Sequence, residues 1–339
     1  MSRSVLVGNV RIGGGAPIAV QTMTKTDTRD AKKTIEQIWR VYGAGCEIVR
    51  CAIPDMEAAK ALAEIVKGSP IPVVADIHFD YRLALASLEA GCHKLRLNPG
   101  NIKDKEKIRL VAREAKARNV PIRVGVNAGS IKHTDNVSNE AVQIALEEVK
   151  ILEDEDFRDI VVSVKTSDIK TTIEANRLLR KACDYPIHIG LTESGPLIQG
   201  LVRSSAALLP LLEEGTGDTI RVSLTDDPES EVEAAWSMLE TVGVRSFGPT
   251  IISCPTCGRT RQNLRGKLSE IRMALKGVKG KKIAVMGCEV NGPGEAKDAD
   301  MGIAFGATKC VVFRGGNMIG TFDTDEAVRI LIEMAKEDN

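Results

Sequence analysis

Eight apolar, strand-like runs follow one another through most of this chain, at Pro17–Met23, Ile48–Ile53, Pro72–Ile77, Lys94–Leu97, Pro121–Val126, Ile160–Lys165, Ile187–Leu191 and Thr219–Leu224. Helical patterns separate them, among them Asp30–Tyr42, Asp55–Lys67, Tyr81–Glu89, Asp104–Arg118 and Asn139–Glu153. Strand, helix, strand, repeated, implies a parallel sheet covered by helices. Eight such units in about 240 residues match a closed (β/α)8 TIM barrel better than an open sheet. An internal echo supports the repeat: Ala44-Gly45-Cys46-Glu47-Ile48-Val49-Arg50 resembles Ala90-Gly91-Cys92-His93-Lys94-Leu95-Arg96, each reading as a helix that ends at glycine before a strand. A short hairpin, Val5–Ile12, precedes the first unit.

A chain of 339 residues leaves room for a smaller second domain. The first is expected over 1–243 and the second over 250–339, with a linker at 244–249. The second reads as a strand (Thr250–Ser253), a helix (Leu264–Leu275), a strand (Ile283–Met286), a Gly/Pro loop, a hairpin turning near Gly315-Gly316-Asn317, and a final helix from Thr324 to Ala335. This is a small α/β module. Lys+Arg and Asp+Glu are equal at 46 each and aromatics are 3%, which argues against nucleic acid as a partner. No apolar run reaches the roughly 18 residues of a membrane span, and no secretory signal opens the chain. Eight cysteines without an export signal point to a reducing, cytoplasmic setting with metal or redox use for some.

In a TIM barrel, function sits at the C-terminal ends of the strands. Here those ends carry Arg50, Asp76 and His78, Arg96 and Asn98, Arg123 and Asn127, Lys165, Thr192 and Glu193, and Arg221 and Ser223. Buried strands are normally apolar, and the strand-end carboxylates, chiefly Asp76 and Glu193, are too few to neutralise five cations. The surplus calls for a polyanionic ligand of about the size of a diphosphate. The absence of a Gly-x-Gly-x-x-Gly or Walker loop makes a nucleotide the weaker candidate.

The second module holds Cys254-Pro-Thr-Cys257 and, beyond its helix, Cys288. Three soft thiolates suit an iron–sulfur cluster with one iron left for an oxygen ligand, or a zinc site lacking its fourth thiolate. Glu289 and Glu295 both lie within reach by spacing, and Cys310 is the only cysteine rival. Cys46, Cys92 and Cys183 fall where helices lead into strands and read as small buried hydrophobes. With zinc in place of a cluster, the chain would be a phosphosugar- or pterin-type barrel lyase or transferase, with Lys165 as its Schiff-base nucleophile.

Cys-Pro-Thr-Cys-Gly-Arg, Met-Gly-Cys-Glu-Val-Asn-Gly-Pro-Gly-Glu and Phe-Arg-Gly-Gly-Asn together resemble the 4-hydroxy-3-methylbut-2-enyl diphosphate synthase family of the methylerythritol phosphate route. The resemblance extends through the barrel in Val-Gln-Thr-Met-Thr, Val-Arg-Cys-Ala-Ile-Pro, Ala-Asp-Ile-His-Phe-Asp, Leu-Arg-Leu-Asn-Pro-Gly-Asn, Arg-Val-Gly-Val-Asn and Gly-Leu-Thr-Glu-Ser-Gly. It implies a [4Fe–4S] cluster on Cys254, Cys257 and Cys288, with Glu295 as a labile fourth ligand. It implies 2-C-methyl-D-erythritol 2,4-cyclodiphosphate as substrate, held by Arg50, Arg96, Arg123, Lys165 and Arg221 with Thr192 and Ser223. Glu193 would be the acid/base residue, Asn317 would reach the same site, and flavodoxin or ferredoxin would deliver electrons. The linker adds an expectation. Gly243 to Pro249 spans roughly 25 Å at most, too little to carry the module from a barrel's bottom to its own mouth. A homodimer with each site completed in trans follows, as the resemblance also implies.

Overall fold

The chain forms two compact units, Met1–Val242 and Gly243–Asn339. The computed structural model describes residues 1–77, 80–97, 104–127, 136–275, 277–278, 280–288 and 298–337. His78, Asn98 and Glu295 lie outside the described residues.

The first unit opens with a hairpin, β1 (Val5–Val7) and β2 (Val10–Ile12). The alternation follows: β3 (Ala19–Met23), α1 (Ala31–Gly43), β4 (Ile48–Ile53), α2 (Met56–Gly68), β5 (Val73–Ile77), α3 (Tyr81–Glu89), β6 (Lys94–Leu97), α4 (Lys105–Ala117) and β7 (Ile122–Asn127). It continues with α5 (Val137–Asp154), β8 (Ile160–Lys165), α6 (Ile169–Ala182), β9 (His188–Ile189), α7 (Leu197–Glu213), β10 (Thr219–Ile220) and α8 (Pro228–Thr241). The strands pair in parallel in the order β8-β7-β6-β5-β4-β3-β10-β9. A parallel bridge between Val162 and Ile187 joins the two edges, giving the expected TIM barrel.

Local chemistry sets where these helices begin and end. Asp30, Asp55, Asp80, Asp104 and Asp168 each cap the helix that follows, accepting a backbone N–H of its first turn. The repeated Ala-Gly-Cys is a shared stop signal. Gly45 and Gly91 take φ of 101° and 83°, and the following Cys46 and Cys92 amides donate back to Val41 and Ser87 carbonyls. This is the Schellman closure, which needs a residue free to adopt positive φ.

The hairpin has a specific task. Val5, Val7 and Ile12 pack with Ala19, Ile48, Val74 and Val161, so β1 and β2 fill the N-terminal end of the barrel with apolar side chains. Ile12 is fully buried there. Ile12→Ala is expected to lower unfolding stability by about 2–4 kcal/mol through lost contacts and a residual cavity, read from denaturant midpoints. A loss under about 0.5 kcal/mol, the scale of surface substitutions, would mean that the hairpin is not a plug.

The second unit is a five-stranded sheet in the order β11 (Thr250–Ser253), β12 (Lys282–Met286), β13 (Met301–Phe305), β14 (Cys310–Arg314), β15 (Asn317–Phe322). The first three strands run parallel and the last three antiparallel. The helices α9 (Leu264–Ala274) and α10 (Thr324–Glu337) cover one face, where Leu264, Ile271, Val285, Ile303, Phe305, Val312 and Leu331 form the core. Strand β13 is a finding beyond the sequence reading. Its Met-Gly-Ile-Ala-Phe is buried on both faces, so it lacks the alternation that marks half-exposed strands. No helix among the described residues is long and apolar enough to cross a membrane.

Candidate active site and candidate metal centre

Strand register assembles the barrel interior. Asp76 lies opposite Arg96, and Arg96 opposite Arg123, so three adjacent strands place them in one row. Further along, Asn127 lies opposite Lys165. Arg50, Asp76, Arg96, Arg123 and Lys165 are all buried. Asp76 accepts from Arg96 Nη1 at 2.9 Å and sits 3.5 Å from Arg50 Nε. Arg50 otherwise points Nε and Nη2 at Met23 Sδ, 3.3 and 3.0 Å away. A thioether is a weak acceptor and offsets little of a buried charge.

Three residues that the sequence reading passed over complete this interior. Lys94, fully buried, reaches Gln21 Oε1 at 3.4 Å; it shares a strand face with Arg96, two residues on, and that spacing was its signal. His188 stands 3.0 Å from Lys165 Nζ through Nε2 and 2.7 Å from Thr219 Oγ1 through Nδ1. Glu231, in the first turn of α8, is 3.1 Å from Arg221 Nε, accepts from Thr22 Oγ1 at 2.6 Å and lies 3.3 Å from Lys25 Nζ. Burial pushes the Glu231 carboxyl up, but Arg221, Thr22 and the Leu224 amide outweigh it and hold it below its ordinary value.

The cation surplus is therefore smaller at Arg221 and larger deep in the barrel. Lys94, Arg50, Arg96, Arg123, Lys165 and Arg221 outnumber Asp76 and Glu231, the carboxylates that the described residues bring among them. Burial, reinforced by neighbouring arginines, depresses Arg123 and Lys165 well below their ordinary values and Arg50 to about 10. Among the described residues of this interior, the buried atoms without a partner are Gln21 Nε2, Arg96 Nε, and Arg123 Nε and Nη1, and every one is a donor. Such an interior can bind an acceptor-rich anion, and its unsatisfied donors cost stability until it does.

The rim is more open. Strands β9 and β10 are shorter than the sequence runs, and just beyond β9 Gly190 lets Lys165 lie against the backbone. A Cβ on Gly190 would stand 2.6 Å from Lys165 Nζ. Thr192 and Ser223 are half-buried on the loops that follow. Glu193 is exposed, with φ of 53° in the left-handed region. Asn127 is half-buried at the end of β7. Asn317, exposed, opens β15 in the second unit.

In that unit the parallel pairing of β11 with β12 brings Cys254 and Cys288 to the same edge of the sheet. The Gly287 amide donates to Cys254 Sγ at 3.2 Å. Cys288 is buried and Cys257 exposed. Hydrogen bonds from the Arg259 backbone and side chain lower the Cys257 pKa toward thiolate. Among the described residues no three His, Cys, Asp or Glu side chains already form a metal-binding group. The donor chemistry nonetheless fits an iron–sulfur group: two soft sulfurs on one edge, one of them accepting an amide hydrogen bond of the kind that tunes clusters, and a third, three residues from Cys254, biased toward thiolate. Cys310 lies in the helix-covered core, with Gln262 Nε2 and Thr324 Oγ1 at 3.7 and 3.6 Å from its sulfur. Cys46, Cys51 and Cys92 are buried thiols pushed up to about 12 by burial. Cys183 is only partly buried, unlike the expectation, because it follows the last turn of α6 at the surface.

Comparison with known proteins agrees with this division. The GcpE TIM-barrel domain model matches residues 2–236, and the GcpE protein C-terminal domain model matches residues 250–337. A 4-hydroxy-3-methylbut-2-en-1-yl diphosphate synthase (flavodoxin) of Lawsonia intracellularis is 50% identical over 340 residues, covering 98% of this chain and 95% of that protein. The protein of the same name from Thermodesulfovibrio yellowstonii is 51% identical over 339 residues, covering 98% and 97%. Among solved structures, a dihydropteroate synthase of Yersinia pestis aligns with a TM-score of 0.55 at 10% identity, over 71% of this chain and 98% of that one. A type I 3-dehydroquinate dehydratase of Clostridium difficile aligns with a TM-score of 0.53 at 16% identity, over 71% and 98%. At such identities the likeness is one of fold alone. The two domain models and the full-length relatives place this chain in the GcpE family, that of the 4-hydroxy-3-methylbut-2-en-1-yl diphosphate synthases.

Proposed function

We propose that this chain reduces 2-C-methyl-D-erythritol 2,4-cyclodiphosphate to 4-hydroxy-3-methylbut-2-enyl diphosphate in isoprenoid biosynthesis. The observation that carries the reading is Arg123: a fully buried guanidinium with donors left unpaired by the described residues, among further cations, in a barrel of this family. Arg50, Arg96, Arg123, Lys165 and Arg221 would grip the diphosphate, with Thr192 and Ser223 as hydroxyl donors and Asp76 holding Arg50 and Arg96 in place. His78, Asn98, Asn127 and Asn317 are assigned as further contacts.

The reaction consumes two electrons and a proton, breaks a carbon–oxygen bond to phosphate and releases a hydroxyl as water. Cys254, Cys257 and Cys288 would hold the [4Fe–4S] cluster, with Glu295 as exchangeable fourth ligand. When bound, that cluster supplies single electrons and an iron open to an oxygen ligand. The chain's own part is electrostatic and protic. Fixed cations stabilise the charge that collects on the departing phosphate oxygen, without reorganising at the moment of bond breaking. Glu193 holds the proton delivered to the leaving hydroxyl. Flavodoxin, which appears in the names of the relatives, or ferredoxin is the electron donor, and a cytoplasmic, reducing compartment suits thiolate ligands.

Anaerobically prepared enzyme is expected to be brown, with broad absorbance near about 410 nm, and to convert the cyclic diphosphate with reduced flavodoxin. Cys257→Ser should bleach it and stop turnover. Colourless protein with stoichiometric zinc and no conversion would favour the lyase or transferase reading instead. Assembly as a homodimer completed in trans rests on the short linker at 244–249. Mixing Glu193→Gln and Cys257→Ser subunits, each inactive alone, should restore about a quarter of the activity, since half the dimers carry one intact trans site. No recovery after verified subunit exchange would remove the trans arrangement.

A further inference from the structure

His188 is buried at the head of β9, with no metal-ligand spacing in the sequence, and the reaction as derived gives it no part. Its ring is held at both nitrogens, by Lys165 Nζ at 3.0 Å and Thr219 Oγ1 at 2.7 Å. Ser163 Oγ also fixes its backbone, donating to the His188 carbonyl at 2.9 Å. Gly190 keeps the space around the lysine open, because any Cβ there would collide with Lys165 Nζ. A lysine placed this closely against an imidazole is being aimed.

We propose that His188 is the positioning residue for Lys165: its Nε2 accepts the lysine's hydrogen bond, Thr219 fixes the tautomer through Nδ1, and binding of the cyclic diphosphate is thereby coupled to proton uptake at Lys165. The inference rests on the barrel being the diphosphate site. The charged groups facing this pair are Arg50 from β4, Lys94 and Arg96 from β6, Arg123 from β7 and Arg221 beyond β10. Asp76 is engaged with Arg50 and Arg96, and Glu231 with Arg221. In that field an ammonium is disfavoured before the anion arrives, and His188 is held neutral. A neutral imidazole has one donor and one acceptor. If Nε2 accepts from the ammonium, Nδ1 must carry its proton and donate to Thr219. The incoming diphosphate supplies the negative charge that draws a proton onto Lys165, so affinity falls as pH rises.

Calorimetric titration of the holoenzyme with the cyclic diphosphate, at several pH values and in buffers of different ionisation enthalpy, tests this directly. Wild type should take up protons on binding and lose affinity with rising pH. His188→Leu should bind at least tenfold more weakly at neutral pH, with the alkaline fall moved to lower pH. His188→Gln, whose amide oxygen can accept in place of Nε2, should recover most of the affinity. Thr219→Val should shift the profile the same way by a smaller amount, and it decides the matter if His188→Leu fails to fold. Wild-type binding together with unchanged affinity and pH dependence in the folded variants would overturn the role of His188. Failure of the wild type to bind would instead overturn the function on which it rests.

Discussion

Arg123→Met is expected to cost most of the activity while making the unliganded protein harder to unfold. Arg123 is among the largest fully buried side chains, and its Nε and Nη1 donate to no atom of the described residues. Its nearest charged neighbours are mostly other arginines, with Asp76 already engaged by Arg50 and Arg96. Burying an ion under these conditions is costly, and an apolar side chain of similar length removes that cost. Comparable replacements of buried ionic groups are neutral or stabilising by about 1–4 kcal/mol. On the proposed function, the same change would delete a charge-assisted, forked contact to the bound anion. Loss of a buried charge partner is worth about 2–5 kcal/mol, or roughly 30-fold to several thousand-fold in kcat/KM at about 1.4 kcal/mol per decade. Arg123→Lys keeps the charge but not the fork and should fall between the two. Paired measurements of denaturant midpoint and kcat/KM check both halves. Inorganic diphosphate should also stabilise the wild type more than Arg123→Met. A variant less stable without ligand, yet fully active, would show that Arg123 serves the fold.

That trade explains what the sequence could and could not disclose. The barrel strands were legible because their outward side chains must meet helices, leaving long apolar runs. The cations were legible because they interrupt those runs. Lys94 was hidden at the start of its strand, where a lysine reads as an entry to the sheet rather than as part of its interior. Glu231 was hidden among Glu229 and Glu233 in one helical turn; only the packing of α8 against β3 selects the one that is buried and neutralises Arg221. His188 had no partner nearby in sequence, since Lys165 and Thr219 arrive from strands more than twenty residues away on either side. Charge compensation in a barrel is settled by which strands become neighbours, and spacing along one strand does not carry that information. The cysteines behave the other way. Cys254 and Cys288 share an edge because β11 and β12 are adjacent and parallel, the arrangement that a strand–helix–strand pattern implies. Cys310 was a rival by residue type alone; the buried helix-facing side of β14 accounts for it.

Glu193→Gln is expected to lower kcat by about a hundred- to ten-thousandfold, the usual worth of a positioned acid, while substrate affinity and the visible absorbance stay at wild-type levels. The backbone argues for a built position. Glu193 takes φ of 53°, a conformation that costs a residue with a side chain about 1–2 kcal/mol. On one side the Thr192 amide donates to Thr166 at 3.1 Å; on the other Gly195 accepts from the Thr225 amide at 3.0 Å. Ser194, buried between them, shares a hydrogen bond with Ser204 at 3.2 Å. The loop is thus pinned on both flanks, and the strain is concentrated where the exposed carboxylate emerges at the C-terminal end of β9. Strain retained at such a point is a mark of function when the surroundings over-determine it. Glutamine preserves length and backbone and replaces the ionisable carboxyl with a neutral amide. Glu193→Gly removes the carboxylate too, yet relieves the positive-φ penalty, so it should lose the same activity without losing stability. Single-turnover measurements separate binding from chemistry in both variants. Undiminished turnover in Glu193→Gln would take the proton-delivering role away from this residue, and a large drop in substrate affinity would recast it as a binding contact.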